Sequence, residues 1–289
     1  MIYLKRFSLL SDIEEYNVII SKMNIHNNVY PLKIFPDKEF KEIEFKEITI
    51  FYGGNGSGKT TILNIISEAL NSARKNLDKK SDLFEQYVSL TSHELINQGE
   101  CKAIKYISSD DVFDYMLDIR AINTGVNRRK EELIKEYYEY KETPAQVYTS
   151  DSERYDELKN KIDANRLTVS KYVRTRLRNN NLIQESNGET ALDFWQKEIE
   201  DNALYIIDEP ENSLSAANQI RLKLFIEESA RFYNCQFIIA THSPFLLALN
   251  GARIYDLDSV PVKAKKWTEL ENIKVYNKFF SEHSGDFKE

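Results

Sequence analysis

The spacing of apolar side chains changes character several times along the chain, and each change predicts a different element. From Glu42 to Phe51 the sequence Glu-Ile-Glu-Phe-Lys-Glu-Ile-Thr-Ile-Phe alternates at nearly every second position. Period two with β-branched and aromatic residues predicts strands, and the first 50 residues as a whole read the same way. Tyr52-Gly53-Gly54 breaks the run, after which Ile62, Ile65, Ile66, Ala69 and Leu70 recur at helical spacing. That pattern predicts a helix starting near Lys59 with one buried face. Ala103–Ile107, Ala203–Ile207 and Gln236–Ala240 read as further strands. The last two are uniformly apolar, as expected of strands covered on both faces, and a helical pattern through Leu222, Phe225, Ile226 and Ala230 lies between them. Strands alternating with helices predict an α/β fold, a largely parallel sheet with helices on both faces.

One stretch departs from this rhythm. From about Asn127 to Arg178 charge is dense, and Leu158, Ile162, Val169, Val173 and Leu177 step by four and seven. The spacing predicts a helical insertion, interrupted near Thr143-Pro144. The chain is thus expected to be a single domain. Residues 1–126 form an N-terminal β subdomain with the first half of the core, 127–180 the insertion, and 181–289 the second half of the core.

Composition narrows the possibilities. With 42% apolar and 29% charged residues the 289-residue chain has the balance of an ordinary globular protein. Its net charge of −7 argues against broad coating of nucleic acid, while leaving room for a local basic groove. Lys171, Arg174 and Arg178 share a helical face that either touches phosphate or is simply solvated. Cys101 and Cys235 are the two cysteines, too far apart for a CxxC metal site and consistent with a reducing cytosol. The opening Met1-Ile2-Tyr3-Leu4-Lys5-Arg6 lacks the pattern of a signal peptide, and no run of about 18 apolar residues occurs. A cytoplasmic location without membrane contact is expected.

The chemistry concentrates in a few short segments. Gly53-Gly54-Asn55-Gly56-Ser57-Gly58-Lys59-Thr60 fits G-x-x-x-x-G-K-[ST] throughout. Glycines let successive N–H groups curl toward the α- and β-phosphates of a nucleotide, and the following helix adds its positive end. Lys59 is expected between the β- and γ-phosphates, Thr60 on Mg²⁺, and Thr61 in the same phosphate cradle. Asp208-Glu209 ends the strand 203–207, which is expected to lie beside the loop. Asp208 would reach the Mg²⁺ shell through water, and Glu209 would polarise the attacking water. His242 ends the other buried strand, where it can sense the γ-phosphate. Ser186-Asn187-Gly188-Glu189 precedes a helix whose apolar face is Leu192, Trp195 and Ile199. The four residues read both as a capping box and as an anion site.

In this order, the phosphate loop, Ser186-Asn187-Gly188-Glu189-Thr190, Tyr205–Glu211 and Phe237–Pro244 resemble the motifs of ABC-type ATPases. The likeness is greatest to the soluble branch that includes the SMC and RecF heads, and within it to compact bacterial AAA-family ATPases. The resemblance implies a P-loop NTPase fold and ATP as substrate with Mg²⁺, sandwiched between two copies of the chain. Ser186, Asn187, Gly188 and Glu189 of one copy would face the nucleotide held by Lys59 of the other, and Asn212-Ser213-Leu214-Ser215 would cross the interface. Gln98 and Ser109-Asp110-Asp111 are two candidates for the place of the family's γ-phosphate-sensing glutamine. The expected function is a soluble ATP hydrolase, a nucleotide-gated homodimer driving a protein partner, a nuclease or other effector, in DNA repair or antiphage defence. DNA is a further candidate partner. The alternatives are the ATP-binding subunit of a membrane transporter, and an ATP-regulated nuclease using Asp256-x-Asp258 as its metal pair.

Overall fold

A computed structural model describes residues 1–21, 30–74, 81–142, 159–160, 162–176, 187–212 and 214–287. They form two compact units, Met1–Phe113 joined with Asn187–Glu289, and Asp114–Ser186. The first unit opens with strand β1 (Leu4–Ser8) and helix α1 (Asp12–Ser21), then β2 (Glu42–Glu44), β3 (Ile48–Tyr52) and α2 (Lys59–Ala69). Helix α3 (Asp82–Ser89), β4 (Ser92–Leu95) and β5 (Ala103–Ser108) follow, and α4 (Ser109–Glu142) carries the chain into the second unit, which also holds α5 (Val169–Arg176). The chain returns through α6 (Asn187–Glu198), β6 (Ala203–Asp208), α7 (Ala216–Phe232) and β7 (Gln236–Ala240). Short α8 (Pro244–Leu247), β8 (Arg253–Asp256), β9 (Lys263–Lys265) and α9 (Glu271–Glu282) complete it.

The first unit is α/β, as expected. Its main sheet has the order β5-β6-β7-β3-β8-β9, parallel throughout except for β9 at one edge. At the other edge β5 is covered by the chain around Ala73, whose N–H donates to Ile104 and whose carbonyl accepts from Tyr106. In β6 and β7 residues of both parities are buried, so both faces of the sheet are covered. Leu204, Ile206, Ile238 and Ala240 join the core cluster that holds Ile62, Leu63, Ile65 and Ile66 of α2. A second, antiparallel sheet, β2-β1-β4, packs into the same cluster through Leu4, Phe7 and Ile43.

Three expectations need correction. The first 50 residues are not all strand, because Asp12–Ser21 is helical. Ser11 and Glu14 cap it reciprocally: Glu14 Oε2 accepts the Ser11 N–H and hydroxyl at 2.7 Å each, and the Ser11 hydroxyl accepts from Glu14 N at 3.4 Å. Strand β6 does not lie directly beside the phosphate-loop strand, since β7 runs between them. The second unit is wider than the charge-dense stretch 127–180, because α4 continues β5 without a break from Ser109. Inside that unit Tyr137, Ala164 and Tyr172 form a small core, with the Arg176 guanidinium 3.7 Å from the Tyr172 ring. Thr143-Pro144, Leu158, Leu177 and Arg178 lie outside the described residues.

Candidate nucleotide-binding site

Three neighbouring parallel strands stop at one level. Register pairs Asp208 of β6 with Ala240 of β7, and Ala240 with Phe51 of β3. Everything the sequence marked as chemical on these strands therefore leaves the sheet at the same edge, the carboxyl ends, where open α/β sheets bind ligands.

The phosphate loop leaves β3 and turns into α2. Gly56 and Gly58 have φ of +80° and +100°, a region that L side chains rarely adopt, so glycine at these two positions is a backbone requirement. The Lys59 ammonium lies against the loop itself, donating to the carbonyls of Gly53 at 2.8 Å and Gly54 at 3.0 Å. A cavity of about 300 Å³ is lined by Ile34, Asn55, Gly56, Ser57, Gly58, Lys59, Thr60, Thr61 and Glu209. Asn55 to Thr61, though not Gly53 and Gly54, thus share one wall, and Glu209 reaches it from the end of β6.

Asp208 is buried, and the Thr60 hydroxyl hydrogen-bonds to it. Burial pushes its carboxyl up to about 6, with the Glu209 charge adding to the rise while Thr60 and Lys59 oppose it. Its Oδ1 is buried without a hydrogen-bond partner. An orphaned carboxylate oxygen next to a hydroxyl is a donor set that fits Mg²⁺. Among the described residues no group of three or more His, Cys, Asp or Glu side chains is placed to hold a metal.

Glu209 is held in a left-handed backbone conformation, φ 48°, by its N–H on Ala240 O at 2.9 Å. Asn212 Nδ2 donates to its Oε2 at 3.2 Å. His242 is half exposed, its Nδ1 3.9 Å from Glu209 Oε1 and 3.3 Å from Glu211 Oε1. Glu211 was not singled out from the sequence, yet it organises this corner. Its buried Oε1 accepts from the Thr241 hydroxyl at 2.7 Å, His242 N at 2.9 Å and Ser243 N at 3.1 Å. The position of His242 is therefore set by a carboxylate on the turn after β6.

The remaining candidates are placed as follows. Ser186 and Ser213 lie outside the described residues. Asn187, Gly188 and Glu189 form the first turn of α6, whose buried face is Ala191, Phe194 and Trp195. Gln98 is exposed in a turn before β5, at the opposite end of the sheet from the site. Ser109-Asp110-Asp111 follows β5 at the site's own edge, where Ser108 pairs with Asp208 and Asp111 accepts from Ser108 N and Oγ at 2.8 Å each. Asp256 and Asp258 do not face a common metal position. Asp256 pairs with Lys265 at 2.6 Å and Asp258 accepts from Gly54 N at 2.8 Å. Among the described residues no helix is long and apolar enough to cross a membrane.

A model of the AAA domain family matches residues 30–239, which takes in the loop, Asp208, Glu209 and most of β7. The chain belongs to the AAA domain family. Membership bears out the resemblance to AAA-family ATPases. This AAA domain protein is 34% identical over 79 residues to the Holliday junction branch migration complex subunit RuvB of Mycoplasmopsis pulmonis. That match covers 24% of the chain and 25% of RuvB, so the chain spans about a quarter of the relative's length. Among solved structures it is similar to the SMC head domain from Thermotoga maritima, at 16% identity and a TM-score of 0.39 over 91% of this chain and 98% of that one. It is also similar to the Smc head of Pyrococcus furiosus bound to the C-terminal domain of ScpA, at 14% identity and a TM-score of 0.40 over 96% and 100%.

Proposed function

We propose that the chain is a Mg²⁺-dependent ATP hydrolase that works as a nucleotide-gated homodimer. The observation that carries this reading is the meeting of Lys59, Thr60, Asp208, Glu209 and His242 at the ends of three strands in register. In this reading Lys59 leaves the loop carbonyls for the β- and γ-phosphates, and the loop N–H groups hold the phosphate chain. Thr60 and Asp208 hold Mg²⁺, which when bound neutralises charge on the phosphate oxygens. Glu209 accepts a hydrogen bond from the attacking water and aims it at the γ-phosphate, with His242 on the same edge.

In this reading a second copy of the chain completes the site. A cavity of about 300 Å³ is at the lower limit for small-molecule sites, and one side of it is open for a second chain to close. Ser186, Asn187, Gly188 and Glu189 of the partner copy are assigned to that closure, with Asn212 to Ser215 crossing between them. Opening and closing of the pair would drive a protein effector of DNA repair or antiphage defence in the cytoplasm. This last step rests on the likeness of the motifs to SMC and RecF heads.

Glu209→Gln tests the chemistry. The amide keeps the shape and removes the charge that polarises water, so turnover should fall by about 10²-fold or more while ATP affinity stays within a few-fold of wild type. Steady-state hydrolysis beside binding of a fluorescent ATP analogue separates the two. Full turnover in this variant would sink the assignment of Glu209.

A further inference from the structure

The phosphate loop is held from outside by two side chains that the chemistry above does not use. Pro36–Lys38 forms a short 3-10 turn, with Phe35 and Pro36 buried and Glu39 left-handed at φ 52° to end it. From this turn the Lys38 ammonium donates to Ser57 O in the loop and to Leu257 O, each at 2.6 Å. Its backbone carbonyl accepts from Val262 N at 3.0 Å. From the other side Asp258 accepts the Gly54 N–H at 2.8 Å, and Leu257 N donates to Tyr52 O, the last residue of β3, at 2.8 Å. Residues 34–38 and 257–262 thus make a collar around the loop.

The fit within the collar is close. A Cβ on Gly53 would lie 2.5 Å from Ser57 Oγ and 3.2 Å from Asp258 Oδ1, and one on Gly58 would lie 3.0 Å from Ile34 Cγ2. Asp256 and Asp258 also place negative charge near the half-buried Lys38 ammonium, opposing the fall that burial causes in its pKa.

We propose that Lys38 and Asp258 are positioning residues that hold the phosphate loop in its nucleotide-accepting form before nucleotide arrives. The inference rests on the nucleotide-site reading and adds to it the means by which a glycine-rich loop stays ordered. Glycines lose more conformational freedom on ordering than any other residue. A loop that is in its binding form only part of the time binds with an affinity reduced by that fraction. Neither side chain is assigned to the attacking water or the γ-phosphate. Removing either therefore raises the nucleotide concentration required and leaves the chemical step alone.

The experiment uses the full chain and two readouts, hydrolysis kinetics and binding of a fluorescent ATP analogue. Lys38→Met keeps the aliphatic stem and removes both hydrogen bonds, and Asp258→Ala removes the acceptor for Gly54. Each should raise KM and the analogue's Kd by about 10-fold with kcat within about twofold of wild type. Asp258→Asn retains an oxygen that accepts from Gly54 and should stay within about threefold of wild type in all three quantities. If Lys38→Met fails to fold, the exposed Asp258 pair of variants decides alone. Wild-type affinity in Asp258→Ala, or a fall in kcat at constant KM, overturns the proposal. A wild-type chain that binds no analogue overturns the nucleotide-site reading first, and this proposal with it.

Discussion

Asp208 shows how much a single side chain owes to its surroundings. Burial raises its carboxyl to about 6, roughly two units above an exposed aspartate, which corresponds to about 3 kcal/mol of preference for the protonated form. For a carboxyl with a raised folded-state pKa, the stabilising contribution is fully present below the unfolded value of about 4 and is lost as pH rises through 6. Nucleotide-free Asp208→Asn, neutral at every pH, should therefore be more stable than wild type at pH 7.5, by up to about 3 kcal/mol. Its advantage should shrink to near zero at pH 4. Urea midpoints at the two pH values check this, and a gain that does not vary with pH would point to packing instead of charge. The position of Asp208 was legible from the sequence because an apolar strand ends there. Other residues were not. Glu211 looks like an ordinary turn carboxylate until Thr241, His242 and Ser243 arrive from 30 and more residues away. Lys38 and Asp258 act across 219 and 204 residues, and no local pattern carries such pairings.

At the scale of elements, the sequence was most informative where period and punctuation agreed. Strand β3, the loop and α2 fall where alternation, glycines and helical spacing put them, and the buried runs became β6 and β7. Helix α1 was missed because period two nearby outweighed a cap signal four residues long. The cap makes a direct prediction: Ser11→Ala should lower global stability by about 1 kcal/mol, measured by urea unfolding at neutral pH. A change below about 0.3 kcal/mol would show that packing of Val18, not the cap, sets this helix. Strand order was hidden for a different reason. Apolar runs report burial on both faces but say nothing about which strand neighbours which, so the insertion of β7 between β3 and β6 needed the fold itself.

For the molecule as a whole, the expected consequence is assembly that depends on nucleotide. Glu209→Gln with ATP and Mg²⁺ should elute from size-exclusion chromatography at about twice the monomer mass, and the same protein without nucleotide as a monomer. A species that remains monomeric well above its nucleotide affinity would count against the shared site. The main sheet bears on the same question from another direction. One edge is β9, Lys263-Ala264-Lys265, whose Lys263 is exposed, and the other edge, β5, is already capped by the chain at Ala73. Lysines on one margin and a covered margin opposite are the devices by which sheets resist growing strand by strand into neighbouring molecules. Copies of this chain are thereby discouraged from joining by extending the main sheet, so the nucleotide-dependent pairing proposed above would not have to compete with strand-by-strand association.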